Sequence, residues 1–90
     1  MESIITNDLE HCYICGVYGT QIHHCMNGSN KDKSTKYGLI VGLCMNHHTG
    51  TEGVHTKPDK MLAMRRVAQR KFEEIYGHDL WMKEFGKNYL

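Results

Sequence analysis

Two short half-sites constrain this chain more than anything else in it: Cys12-x-x-Cys15 near the start and Cys44-x-x-His47 at its middle. A spacer of two residues turns the backbone so that both flanking side chains aim at one point. Two such pairs can therefore close a tetrahedral site of the kind zinc takes. A chain of 90 residues makes one small domain with barely enough apolar surface for its own core, so a staple of this sort is expected. Three further histidines, His23, His24 and His48, lie close to the half-sites in sequence, and a structural ion has no use for them.

The hydrophobic fraction of 40% and a mean hydropathy of −0.54 describe an ordered, soluble chain rather than a disordered tail or a membrane span. The opening Met-Glu-Ser-Ile-Ile-Thr-Asn-Asp lacks the basic start and the long apolar run of a secretory signal, which leads us to expect a reducing cytoplasm. In that reducing compartment cysteines more often bind metal than pair, which argues against a disulfide-linked miniprotein. A net charge of +1 selects no partner by itself. Its distribution says more: Lys31, Lys33 and Lys36 gather in the central loop, and Lys60, Arg65, Arg66, Arg70 and Lys71 stud a later helix. Either group would attract a phosphate backbone, although taken alone a solvated helix face balanced by Glu73 and Glu74 is the better reading of the second.

Residues 1 to 10 read as a lead-in. Cys12-Tyr13-Ile14-Cys15-Gly16 reads as a zinc knuckle, with Gly16 where the backbone must turn back on itself. Residues 20 to 26 suit a short strand with Ile22, His24 and Met26 on one side and Gln21, His23 and Cys25 on the other. The polar stretch 27 to 36 reads as a mobile turn, and Tyr37 to Leu43 as a second strand that completes a hairpin and delivers Cys44 to the knuckle. A helical turn at Met45 to His48 soon meets Gly50 and Gly53. Thr56, Pro58 and Asp59 form a start signal of the capping-box type for a helix whose stripe runs through Met61, Met64 or Arg65, Ala68, Phe72 and Ile75 to Tyr76. Gly77 ends that helix, and a shorter one follows from about Asp79, with Leu80, Trp81 and Phe85 as its apolar members and Gly86 as its stop. The spacing thus predicts a small α+β domain over residues 1–90, with a metal core over 11–56 and a helical region over 57–90. Trp81 is expected as a core anchor, Cys25 as a small buried hydrophobe, and His11 and His78 at the surface.

A hairpin carrying His-His, followed by Leu-Cys-x-x-His-His, resembles the HNH endonucleases of ββα-metal fold, and more narrowly the small HNH-like proteins of phages and prophages. The resemblance covers residues 12 to 55 by motif and, less specifically, the closing Phe85-Gly86-Lys87-Asn88-Tyr89-Leu90. It implies a structural zinc on Cys12, Cys15, Cys44 and His47. It also implies His23 and His48 as ligands of a catalytic Mg²⁺, Mn²⁺ or Zn²⁺, and His24 as general base. The implied activity is metal-dependent cleavage or nicking of DNA through backbone contacts, leaving a 5′ phosphate and a 3′ hydroxyl. A homodimer or a phage or host protein is the further partner to expect.

The chain departs from the family pattern twice. The motif's middle Asn is missing where Tyr37-Gly38-Leu39-Ile40 stands, so Asn27, Asn30, Asn46, a backbone carbonyl or another side chain must orient the base. The last metal ligand is also displaced. After His48 the usual spacing offers Thr51 or Glu52, whereas the next histidine is His55, about 10 Å further on if the helix continues. We expect Gly50 and Gly53 to break the helix and fold His55 back, with Glu52 as the alternative and a two-ligand site completed by water as a third arrangement. The missing Asn also keeps open a catalytically inactive zinc module that binds DNA or a host protein.

Overall fold

The computed structural model describes residues 2–90; Met1, the first residue of the expected lead-in, lies outside them. Two strands, Gln21–His24 (β1) and Ile40–Leu43 (β2), pair antiparallel, with His23 opposite Val41 and His24 opposite Ile40. β2 is buried along its whole length, as its apolar sequence requires. The N-terminal segment and the knuckle lie against β2 and the residues leading into it: Ser3 Oγ donates to the Ile40 carbonyl (2.6 Å), the Ile4 amide to Gly38 (2.9 Å) and the Tyr13 amide to Gly42 (2.8 Å). A Cβ at position 42 would collide with the Leu9 carbonyl and the Thr20 hydroxyl, so this close crossing needs glycine.

Both strands are shorter than expected, and their connection is not a mobile turn. It holds a 3₁₀ turn, Gly28–Asn30, and a helix, Lys31–Tyr37 (α1). Three features favour that helix. Asp32 in the first turn and Lys36 in the last complement its dipole, and Gly38 at φ 71° closes it in the left-handed region. Ser34 supplies the anchor. Fully buried, it accepts from the Met26 amide (3.0 Å) and donates to the Met26 carbonyl (2.6 Å). Tyr37, assigned above to the second strand, is thus the last residue of α1.

Beyond β2 come a four-residue helical turn, Met45–His48 (α2), and two helices, Pro58–Tyr76 (α3) and His78–Phe85 (α4). The expected cap fails at α3: its N-cap is Lys57, without a side-chain bond. The Thr56 hydroxyl turns away and donates to the Gly50 carbonyl (2.7 Å), bracing the loop before the helix. The buried face of α3 is Met64, Ala68, Gln69 and Phe72, while Ile75, expected to extend the stripe, is 55% exposed. Phe72 meets Tyr37 of α1 at 4.9 Å between ring centroids and Trp81 of α4 at 5.4 Å, and Trp81 packs on Phe85 at 4.2 Å. Trp81 is fully buried, as expected, and its indole N–H donates to the Lys87 carbonyl (2.8 Å). Gln69, a polar residue inside this core, is satisfied by the tail: it donates to Asn88 Oδ1 (2.8 Å) and accepts from the Tyr89 amide (2.7 Å). None of the described helices is long and apolar enough to cross a membrane.

Candidate metal centres and cleft

The knuckle is built by two backbone bonds, Cys12 N–H to Val17 (2.8 Å) and Gly16 N–H to Cys12 (2.8 Å), with Gly16 at φ 79°. Its docking on Gly42 brings it beside Cys44, which precedes α2 in extended conformation and so points across to the knuckle. The result is a cluster of Cys12, Cys15, Cys44 and His47 whose donor atoms all lie within 4.8 Å of one another and could hold a metal ion. A tetrahedral ion with bonds of about 2.3 Å to sulfur and 2.0–2.1 Å to nitrogen sets its sulfurs about 3.8 Å apart and sulfur from nitrogen about 3.5 Å. Here Cys15 Sγ is 3.8 Å from Cys44 Sγ, and His47 Nδ1 stands 3.7 Å from Cys12 Sγ and 3.3 Å from Cys44 Sγ.

The electrostatics suit a cation. Burial pushes the Cys12 thiol up, but the backbone amides of Cys44, Cys15 and Ile14 outweigh it and bring the group down to about 6. Cys15 is lowered by the Val17 amide, yet burial and its neighbours Cys12 and Cys44 leave it raised overall. One thiolate forms readily and the next resists; a bound cation removes that conflict. Cys25, the fourth cysteine, is fully buried away from the cluster, and burial pushes its thiol up to about 12. It is a core hydrophobe, as expected.

A second cluster lies on the other side of the same turn: His23 from β1, His48 from α2 and His55, again with donor atoms within 4.8 Å of one another. His55 reaches it because the chain doubles back after α2. The Val54 amide donates to His47 (3.0 Å) and the His55 amide to His48 (3.1 Å). Gly53 permits that approach, since a Cβ there would stand 2.5 Å from the His48 carbonyl oxygen. Glu52, the alternative ligand, is instead ion-paired with Lys57 (3.6 Å) and Lys60 (3.4 Å), and those two lysines lower its carboxyl below the usual range. Thr51 donates weakly to Asn46 Oδ1 (3.4 Å).

Three observations make this cluster a fit for a cation. His23 is 1% exposed, and its Nε2 has no hydrogen-bond partner. His48 donates from Nδ1 to Gln21 Oε1 (2.8 Å), which leaves its Nε2 as a bare lone pair. That nitrogen is 3.2 Å from His55 Nε2, and two nitrogens about 2.1 Å from one ion at angles of about 90–110° stand about 3.0–3.4 Å apart. Burial, with help from His48 and His55, depresses His23 to about 3, so the ring is neutral and able to ligate near neutral pH. Burial and the His55 charge lower His48 in the same direction.

His24 does not join either cluster. It lines a cleft of ≈ 220 Å³ together with Ile22, His23, Asn27, Lys31, His48 and His55, and its Nε2 lies 3.1 Å from the Thr35 hydroxyl. Burial and the charge of Lys31 lower its pKa, with Asp32 opposing. Of the other basic residues, Arg65 donates to Asn27 Oδ1 (3.1 Å), Arg66 to the Tyr89 carbonyl (2.8 Å), and Lys60 to Glu52, so much of the α3 charge is engaged within the protein. Sequence reasoning missed Gln21 and Thr35. Gln21 was findable, because it lies two residues from His23 on the same strand face. Thr35 was not, because its position depends on a helix that the polar stretch gave little reason to expect.

No family model, curated protein or solved structure matches this chain.

Proposed function

We propose that this protein is a metal-dependent DNA endonuclease or nickase of HNH type. Cys12, Cys15, Cys44 and His47 would hold a structural zinc, which a set of three thiolates and one imidazole at tetrahedral spacing suits. The observation that carries the reading is the second cluster: three imidazoles converge on one point at the wall of a cleft that a fourth imidazole, His24, also lines. Three imidazole donors leave coordination positions open, as a catalytic site requires.

The work divides among these residues as phosphodiester hydrolysis demands. His23, His48 and His55 would hold a divalent ion, which would supply charge neutralisation for the phosphate and the departing 3′ oxygen. His24, kept off the ion, takes the proton from the attacking water. Lys31, on the same cleft wall, attracts the phosphate backbone. Contacts of this kind read phosphates rather than bases, so binding weakens as salt rises and sequence preference is slight.

The test is plasmid nicking with Mg²⁺ or Mn²⁺, wild type against His24→Ala, run beside elemental analysis before and after mild chelation. Loss of nicking in the variant, with the tight metal retained and a weaker one removed by the chelator, is the expected result. A wild-type protein that holds a single ion and leaves plasmid intact is a binding module instead. Equal nicking by wild type and variant removes His24 from the role of base.

A further inference from the structure

We propose that Thr35 is the positioning residue for His24: its hydroxyl accepts the proton on the ring's Nε2, so that the lone pair resides on Nδ1. The proposal deepens the nuclease reading and rests on it for its catalytic meaning. Its geometry stands separately. A base needs one ring nitrogen bare and the ring held still, and a neutral imidazole satisfies this only when some acceptor fixes the tautomer.

Two of the asparagines that could have served are engaged elsewhere. Asn27 Oδ1 accepts from Arg65 Nη2 (3.1 Å), and Asn46 Oδ1 faces the Thr51 hydroxyl at 3.4 Å. Thr35 Oγ1 stands 3.1 Å from His24 Nε2 and 3.4 Å from the Lys31 carbonyl one helical turn back. A hydroxyl has one proton to give and two lone pairs to receive with. Directed along the helix to Lys31, that proton leaves Oγ1 as an acceptor toward the ring. Nε2 therefore carries the hydrogen.

Both partners are held by groups that do not belong to the site. Ser34, the residue before Thr35, is fully buried and doubly bonded to Met26, and Lys33 donates to the Glu84 carbonyl (2.6 Å) at the end of α4. His24 is fixed by its pairing with Ile40. α1 thus acts as a bracket: inserted between the strands of the hairpin, it brings a hydroxyl to a histidine eleven residues earlier in the chain. Thr35 is exposed, so replacing it leaves the core untouched.

Valine removes the acceptor and keeps the shape; serine keeps the acceptor. In long-range ¹H–¹⁵N spectra of the protein loaded with zinc and Mg²⁺, the neutral His24 ring is expected as a single Nε2–H tautomer in wild type and in Thr35→Ser. In Thr35→Val it becomes a mixture. Nicking by Thr35→Val is expected to fall about 10- to 100-fold in kcat with little change in KM, as second-sphere losses do, and Thr35→Ser restores it. A His24 ring that remains pure Nε2–H in Thr35→Val overturns the proposal. So does full nicking by Thr35→Val under conditions where His24→Ala is dead. A wild type that nicks nothing sinks the nuclease reading instead, and the spectra still decide the fate of Thr35.

Discussion

The two histidine-containing clusters share a turn and differ in almost everything else. His47 and His48 are neighbours on α2, yet one ring faces three thiols and the other faces two imidazoles. On the thiol side four donors from the chain would fill the tetrahedral shell of an ion, which would tie the knuckle to β2. On the imidazole side all three donors are imidazoles, and the site opens on a cleft. The contrast teaches how a very small domain separates stability from reactivity. In the proposed nuclease, thiolates would hold their ion tightly and fix the turn, and the same turn would aim His48 at a site weak enough to exchange ligands.

The sharpest way to break that contrast is Cys12→Ser. If the thiol cluster is the staple, the variant loses its cooperative thermal unfolding by circular dichroism, because binding of a structural ion is folding free energy in a domain this size. An unchanged melting curve would show that the core suffices alone and that the two clusters do not differ in kind.

Gly53→Ala addresses the other side. The new methyl would meet the His48 carbonyl and push the returning loop outward, taking His55 with it. The fold and the thiol site should persist, while Mn²⁺ affinity at the second site, read by titration calorimetry, drops about 10- to 100-fold, the loss typical of a displaced support. Equal affinity would mean that His55 contributes nothing to that site.

What the sequence made legible follows the same division. Covalently local patterns were readable: the knuckle, the Met45–His48 turn, the stop at Gly77 and the core role of Trp81 all depend on residues a few positions apart. The gathering of His23, His48 and His55 was also expected, with Gly50 and Gly53 as the means, although what makes glycine necessary at position 53 is a contact with the His48 carbonyl. What escaped depends on burial of polar groups. Ser34 turns a polar stretch into α1 by disappearing into the core, Gln69 does the same inside α3, and Thr56 prefers a loop carbonyl to the helix end it precedes. A polar residue's sequence neighbours do not reveal whether a distant backbone group will meet its needs, and apolar periodicity is silent about it.

The last expected effect, spread over several pH units, concerns the buried ring at the centre of the second cluster. His23 is held at about 3 in the folded protein, against 6.5 in an open chain, chiefly by burial and then by His48 and His55. Below about pH 6.5 the unfolded chain therefore binds a proton that the native state refuses, so stability falls as pH drops through the window from 6.5 toward 3, at most by about 1.4 kcal/mol per pH unit. Acid also attacks the thiol site, since Cys12 gives up its thiolate near 6, and the raw pH profile mixes the two. The difference between wild type and His23→Leu isolates the ring: leucine fills the space, removes the unpartnered Nε2 and cannot titrate. Urea unfolding at stepped pH, after mild chelation has emptied the imidazole site, should give wild type the steeper loss below pH 6.5. Parallel profiles would mean that water reaches His23, and a ring that water reaches has no need of an ion to satisfy it.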